Sequence, residues 1–298
     1  MVNVIGNRKV YLGISAVVVG AAILAIALWG FKQGIDFTGG TFWQFKLSGS
    51  EPVSQVEEFF KKDLGLKEVK ISTESDGGSF LVRLPDVKEA DHQNYIGALR
   101  SKFGTFEEFN FQSIGPSVGA ELRQKSITAI ILVLLGISLY IAFAFRKVYQ
   151  PISSWKYGVV TLISLFHDVA VPAGMLAVLG HFGAVEIDGN FVVALLVVVG
   201  FSVHDTIVVF DRIRENLLLS RGKKEFGEVI NESVNETMAR SINTSVTLIL
   251  VLLALYFVGP ASLNYFVLTL LVGVTVGIYS SIFVASPLLY VWHKLSTK

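Results

Sequence analysis

The sequence contains no cysteine, few charged residues and almost no net charge. The lack of cysteine excludes disulfides, thiol nucleophiles and thiolate metal sites. Asp, Glu, Lys and Arg make up 16% of the residues, and a net charge of +1 gives no argument for binding nucleic acid. Phosphate-loop, dinucleotide and HExxH motifs are also missing. We therefore expect no catalytic residue, no metal and no other cofactor.

Apolar sequence is what the chain has in abundance. Apolar residues make up 52% of it, and the mean hydropathy is +0.59, far above that of a water-soluble domain. A helix that crosses a bilayer needs about 20 mostly apolar residues. Six stretches meet that requirement, namely 10–29, 126–145, 157–179, 190–210, 242–258 and 264–290. The sequence therefore predicts an α-helical polytopic membrane protein with six transmembrane helices.

The first apolar stretch has an alternative interpretation as a cleaved signal peptide, because Ala25-Ile26-Ala27 is similar to a cleavage site. Its apolar run is longer than that of a usual signal peptide, and five further stretches follow. We therefore interpret residues 1–30 as an N-terminal segment with the first transmembrane helix, and residues 125–298 as a bundle of five more with a cytoplasmic loop at 211–240.

Lysine and arginine are distributed unevenly between the connections. The connections 180–189 and 259–263 contain neither residue. The other connections and the ends of the chain contain Arg8, Lys9, Arg146, Lys147, Lys156, Arg212, Arg214, Arg221, Lys223, Lys224, Lys294 and Lys298. Since cytoplasmic loops are enriched in Lys and Arg, this pattern places both termini in the cytoplasm.

The connection 31–124 is polar, long and different in kind from the rest. Helical patterns cover 53–65 and 91–104. Four strand-like runs flank them, namely TFWQFKLSG, KEVKISTES, SFLVRLPDV and FEEFNFQSI. This order, β-α-β-β-α-β, is that of a ferredoxin-like α+β domain. The orientation of the helices places this domain outside the cytoplasm, between the first and second transmembrane helices.

Ionisable residues are rare within the apolar stretches and are therefore the candidate functional residues. They are His167 and Asp168 in the third stretch, His204 and Asp205 in the fourth, and Arg240 at the start of the fifth. A charge at the bilayer centre costs at least about 2.5–3.5 kcal/mol to insert, so such residues face the bundle interior or a wet cavity.

Asp205 and Arg240 are expected at similar depths, one to two helical turns from the cytoplasmic surface. Thr244 and Thr247 share a helix face with Arg240, and Ser202 precedes Asp205 by one turn. Together with His204 these residues predict a polar seam that water enters. The alternative is a structural ion pair of Asp205 with Arg240, which joins two helices in a passive scaffold.

Asp168 is a second candidate for handling protons. Pro172 follows it by four residues and cannot bond to its carbonyl, which leaves a backbone acceptor beside the carboxylate. His167 projects about 100° away from Asp168 on a helix, so we expect two separate sites rather than one His-Asp site. Two carboxylates on adjacent helices also occur in intramembrane aspartyl proteases, but the Gly-x-Gly-Asp context is missing, so we expect no enzyme.

Five motifs in order resemble those of the SecF family, the smaller half of the SecD/SecF protein-export accessory complex. They are GIDFTGGT (34–41), SIGPSVGAEL (113–122), HDV (167–169), GFSVHDTIVVFDRIREN (200–216) and ETMARSINTSVT (236–247). Phe201 departs from the family, which often has Tyr there, so any role of that hydroxyl is in doubt.

The resemblance implies one half of an RND-type transporter in the bacterial plasma membrane, paired with SecD. It also implies partners in the SecYEG channel and YajC, exported unfolded polypeptides as cargo, and the proton-motive force as the energy source. In this scheme Asp205 and Arg240 match the proton-path residues of the family, and Asp168 matches the third-helix motif.

Two glycine-rich joints connect the external domain to the membrane helices. They are Gly34–Thr41 and Gly115–Gly119, and the residues of interest in them are Gly34, Asp36, Gly39, Gly40, Gly115, Pro116 and Gly119. Their glycines permit unusual backbone angles and so suit a coupling joint. The alternative is that they serve only tight turns.

Overall fold

The computed structural model describes residues 2–49, 51–73, 78–146, 152–183, 185–220 and 223–296. Lys147, Arg221, Lys298 and the last two residues of the predicted KEVKISTES strand lie outside these ranges. The chain forms two compact units. The helical unit comprises Met1–Lys32 and Ile127–Lys298, and the α/β unit comprises Gln33–Ser126.

The elements follow one another with short connections. In chain order they are α1 (Arg8–Trp29), α2 (Ile35–Thr38), β1 (Gly40–Leu47), α3 (Val53–Glu58), β2 (Lys70–Thr73), β3 (Ser79–Leu84), α4 (Glu89–Phe103), β4 (Phe106–Ile114), α5 (Pro116–Ala144), α6 (Ser154–Phe182), α7 (Gly189–Ser220), α8 (Phe226–Val258), α9 (Asn264–Ser280) and α10 (Ser286–Ser296). A π-helical turn at Phe59–Asp63 continues α3, and another at Ser281–Ala285 joins α9 to α10.

Six helices within the described residues are long and apolar enough to cross a membrane, which confirms the predicted number. They are α1, α5, α6, α7, α8 and the continuous rod α9–α10. Most of the connection predicted at 211–240 is helical, because α7 continues to Ser220 and α8 begins at Phe226. At 1.5 Å per residue, α8 is about 50 Å long and exceeds the hydrocarbon thickness of about 30 Å.

The helices of this unit are unequally buried. More than half of the apolar segment is buried in α6 and in α9–α10, and half in α7, whereas only 6% of that of α5 is buried. Gly273 and Gly277, one turn apart on α9, let α7 approach closely. A Cβ atom at Gly273 would lie 2.2 Å from Val198 Cγ2, and one at Gly277 would lie 3.2 Å from Ser202 Cβ. Small residues at such spacing commonly bring membrane helices together.

The α/β unit contains one four-stranded antiparallel sheet in the order β2-β3-β1-β4. Its elements follow the predicted order β-α-β-β-α-β, with each strand within a few residues of its predicted run. Alternate residues of β1, including Trp43 and Phe45, are buried, and they pack with Phe60 of the α3 extension and Leu99 of α4. One face of the sheet is therefore covered by the two helices, as period-two alternation requires.

Candidate functional site

The most buried carboxylate of the helical unit is Asp168, where α6, α7 and α9 meet. Its side chain is fully buried. Ser280 Oγ of α9 donates a hydrogen bond to Asp168 Oδ2 at 2.7 Å, and Ser202 Oγ of α7 donates to the same oxygen. His167 Nδ1 lies 2.9 Å from Asp168 Oδ1. Three helices thus converge on one carboxylate, and both of its oxygens have partners.

The prediction that His167 and Asp168 form separate sites is wrong. The Cα–Cβ directions of adjacent helical residues diverge by about 100°, but the long imidazole side chain can bend back toward a short neighbouring carboxylate. Both side chains are buried at this point, so the imidazole has little access to water as an alternative partner. The result is one His-Asp pair inside the bundle.

Ser280 is the residue of this site that the sequence interpretation missed. It lies on α9, three residues after Gly277, and 112 residues after Asp168. A signal for it was present, because Gly273-x-x-x-Gly277 marks a close helix contact. Such a contact brings the next small polar residue of α9 within reach of the neighbouring helices.

Asp205 lies on α7, one turn after Ser202, and faces α8. Only 3% of its surface is exposed, and its Oδ2 atom has no hydrogen-bond partner. The nearby polar group on α8 is the hydroxyl of Ser241, which is within interaction range of the carboxylate. Ser241 Oγ and, one turn later, Ser245 Oγ are also buried without a hydrogen-bond partner. Asp205 Oδ2, Ser241 Oγ and Ser245 Oγ are therefore three buried polar atoms whose hydrogen-bonding capacity is not used.

Arg240 does not pair with Asp205. Both residues are described, and no ion pair or hydrogen bond joins them. Arg240 is exposed and borders an open pocket of about 450 Å³ between α7 and α8. That pocket is lined by Ile207, Val208, Asp211, Arg212, Glu215, Glu236, Thr237 and Arg240. Arg212 donates a hydrogen bond of 2.6 Å to each of Glu236 and Glu215.

The single polar seam predicted around Asp205 is wrong for this structure, because its members face different directions. Ser202 turns toward Asp168, whereas His204, Thr244 and Thr247 are exposed. Thr247 Oγ1 donates to the backbone of its own helix, at Asn243 O, with a distance of 2.8 Å. Helical spacing correctly placed Arg240, Thr244 and Thr247 on one face of α8, but their side chains are exposed instead of buried against α7.

Within the α/β unit, three of the joint glycines occupy positions that other residues would strain. Gly39 and Gly40 have φ values of +75° and +116°. A Cβ at Gly39 would lie 2.6 Å from Pro116 Cα, and one at Gly119 would lie 2.7 Å from Gly39 N. Here the two predicted joints touch each other through their backbones, so these glycines serve tight turns and close approach.

The remaining joint residues have local roles. Gly34 precedes α2, and its carbonyl accepts the hydroxyl of Thr38 at 3.0 Å. Asp36 lies in the first turn of α2. Gly115 comes directly before Pro116, where α5 begins. None of these three requires a positive φ angle.

Comparisons with known proteins point to one family. The family described as "Protein export membrane protein SecD/SecF, C-terminal" matches residues 95–295. "Protein translocase subunit SecF" of Thermobaculum terrenum is 45% identical, over 99% of this chain and 95% of its own length. The protein of the same description from Anaerolinea thermophila is 34% identical, again over 99% and 95%.

A solved structure has the same fold. SecDF of Thermus thermophilus, described as a translocon-associated membrane protein, aligns with a TM-score of 0.82 at 33% identity. The alignment covers 98% of this chain but 39% of that one, so this chain spans less than half of the SecDF polypeptide. The motifs, the six apolar helices and these matches agree. The chain is a multi-pass membrane protein and belongs to the SecF family of protein translocase subunits.

Proposed function

We propose that this chain is a subunit of a proton-driven protein-export complex, and that Asp205 takes up and releases the proton. The observation that carries the proposal is the unpartnered carboxylate oxygen of Asp205 at the α7–α8 interface. A buried carboxylate without a full set of partners is costly to keep, and membrane proteins retain such groups mainly where they work. No reaction on a substrate is required of it, so we propose a transport subunit rather than an enzyme.

Protonation of Asp205 changes the charge at this interface by one unit. Ser202, on the same helix, is bonded to Asp168, so a shift of α7 would alter both carboxylate sites together. We propose Asp168 as the second group of the path, because its hydrogen bond with Ser202 couples it to the position of α7. One elementary charge that crosses the membrane potential gains about 2.3 kcal/mol per 100 mV, so a few protons can bias two helix arrangements.

An exposed polar face of α8 supports an association with SecD. Arg240, Thr244 and Thr247 lie there, exposed, in a helix long enough to span the membrane. Polar side chains on a lipid-facing surface are unfavourable, and membrane helices use them to bind other helices. We propose that a SecD helix covers this face and supplies an acidic partner for Arg240. The fused SecDF protein of Thermus thermophilus is consistent with such a pairing.

The rest of the assignment follows the charge pattern and the family. We propose that the α/β unit is a ferredoxin-like domain outside the cytoplasm and that both termini are cytoplasmic, in a bacterial plasma membrane. The SecYEG channel, YajC and unfolded exported polypeptides are the proposed contacts. The passive scaffold would be favoured by an Asp205–Arg240 ion pair, and the described residues contain none between these two.

The test is the substitution Asp205→Asn, which keeps shape and hydrogen bonding but removes the titratable group. Inverted membrane vesicles that contain the complex are assayed for export with and without an imposed proton gradient. We expect the gradient-dependent stimulation to be lost, while assembly and gradient-independent export persist. The matched control Asp91→Asn makes the same chemical change at an exposed position of α4 and should retain full stimulation. Normal stimulation of Asp205→Asn at normal assembly would rule out the proton role.

A further inference from the structure

The segment Val2–Asn7, which precedes α1, packs against the first half of α8. We call this segment the strap. Val4 is fully buried and Ile5 nearly so, in a cluster that includes Phe226, Ile230 and Val234 of α8. Gly227 leaves room for this contact, because a Cβ there would lie 3.4 Å from Ile5 Cγ2. The strap is therefore a packed part of the helical unit.

Two asparagines on α8, one helical turn apart, hold the strap. Asn235 Oδ1 accepts the Val2 N–H at 2.7 Å, and Asn235 Nδ2 donates to Val2 O at 2.9 Å. Asn231 Oδ1 accepts the Ile5 N–H at 3.0 Å, and Asn231 Nδ2 donates to Asn3 Oδ1 at 3.1 Å. An amide side chain has the donor and acceptor of a peptide group, so this pair recognises the strap largely through its backbone.

A different face of α8 is bonded to α7. Asn216 Nδ2 donates to Ser233 Oγ at 3.0 Å and to Glu236 Oε2 at 2.8 Å, and Arg212 Nε donates to Glu236 Oε2 at 2.6 Å. Arg240 follows Glu236 by one turn and so shares that face. Asn235 is five residues before Arg240, which places the two side chains about 140° apart around the helix. The first half of α8 is thus held from two sides.

The second half of α8 is held much less. Only a small part of its apolar segment is buried within the chain, and the facing groups Asp205 and Ser241 make no hydrogen bond to one another. The rotation of this rigid helix about its axis is consequently set where it is anchored, at Asn231–Glu236. Rotation there would carry Ser241 away from Asp205 and move Arg240 out of its pocket.

We infer that Asn231 and Asn235 are positioning residues of the transport step, because they clasp the strap and thereby fix the rotation of α8. The inference rests on the proposed roles of Asp205 and Arg240. We call Asn231 and Asn235, with their hydrogen bonds to the strap, the clasp. The clasp is static: it keeps the rotation of α8 fixed while protonation changes the α7–α8 interface beyond it.

The first test removes the clasp with the double substitution Asn231→Ala and Asn235→Ala. Amide hydrogen exchange over 228–240 should rise at least about tenfold, because the four hydrogen bonds to the strap are lost. Gradient-dependent export should fall about tenfold, equivalent to 1.4 kcal/mol, while gradient-independent export is retained. Glu228→Ala, an exposed change on the same part of α8, should leave both measurements unchanged. Faster exchange with undiminished gradient-dependent export would overturn the positioning role.

The second test uses the absence of cysteine from the chain. The Asn3→Cys/Asn231→Cys pair replaces two side chains in contact, and a short thiol crosslinker can close it. The open form should show reduced gradient-dependent export, and closure should restore it to the unsubstituted level in the same preparation. Loss of export on closure would contradict a static clasp, and equal export in both forms would contradict the positioning role. This comparison also decides the matter if the double alanine variant does not assemble.

The clasp and the proton path can fail separately. If Asp205→Asn keeps its gradient-dependent export, the proposed proton path is rejected. Hydrogen exchange in the alanine variant still reports whether the strap holds α8, because it is measured without any gradient. If exchange is faster in the alanine variant and Asp205→Asn keeps its gradient-dependent export, the clasp is a structural feature. Its proposed part in transport is then overturned.

Discussion

The two buried carboxylates of the bundle, Asp168 on α6 and Asp205 on α7, are in opposite chemical situations. At the α6–α7–α9 interface, both oxygens of Asp168 have partners, contributed by His167, Ser202 and Ser280. At the α7–α8 interface, Asp205 Oδ2 has none, although Ser241 faces the carboxylate. The first interface is tightly packed around the glycines of α9, whereas only 17% of the apolar segment of α8 is buried.

This difference in hydrogen bonding makes the Asp168 site more resistant to rearrangement than the Asp205 site. A fully bonded carboxylate loses several hydrogen bonds if its helices move, so it resists rearrangement. A carboxylate with unused capacity loses little when a neighbour moves or a proton arrives. If Asp205 carries the proton as we propose, this comparison favours motion at the boundary between α7 and α8, with α6, α7 and α9 as the more rigid group.

The largest expected effect comes from Asp168→Ala. This change removes the hydrogen-bond partner of the buried His167 and Ser202 side chains and leaves Ser280 with only its bond to Gly277 O. Each lost buried partner costs about 1–3 kcal/mol before relaxation, so we expect a net loss of about 3 kcal/mol or more. Asp205→Ala removes a group that was not fully bonded and should cost much less. Thermal unfolding of both variants in the same detergent gives the comparison. Equal losses would show that the two carboxylates are not distinct in bonding.

An intermediate effect is expected from Gly273→Ala, which inserts a methyl group 2.2 Å from Val198 Cγ2. Such overpacking typically costs about 1–3 kcal/mol and would move α9 away from α7, which also weakens the Ser280 and Ser202 bonds to Asp168. Gly200→Ala is the matched control, because a Cβ on this α7 residue would meet no atom within 4 Å. The control should be neutral or slightly stabilising, since alanine is the better helix former.

The smallest effect separates two serines. Ser202→Ala removes a hydrogen bond to Asp168 and should lower stability by about 1 kcal/mol. Ser241→Ala removes a buried hydroxyl that had no hydrogen-bond partner and should be close to neutral or slightly stabilising. Unfolding midpoints measured side by side decide between them. A larger loss for Ser241→Ala would indicate that the α7–α8 interface is bonded more firmly than its geometry indicates.

Much of the candidate site could be predicted from the sequence. Charged residues are rare in apolar stretches, so the few that are present are candidates for function. Asp168, Asp205 and Arg240 were identified on that ground, and the shared face of Arg240, Thr244 and Thr247 followed from helical spacing. The sequence did not show in which direction that face of α8 points. Spacing relates residues within one helix, whereas the azimuth of a helix depends on the contacts of all its neighbours.

The sequence alone determined the six membrane helices, the α/β insertion and the short set of ionisable residues. Each of these depends on local quantities: the length of an apolar run, its period and the cost of a buried charge. Only the tertiary structure decided which carboxylate would be fully bonded. Ser280 reaches Asp168 across 112 residues, and Asn235 reaches Val2 across 233. Such partners are selected when helices pack, because a hydrogen bond inside an apolar bundle forms only where two surfaces bring donor and acceptor together.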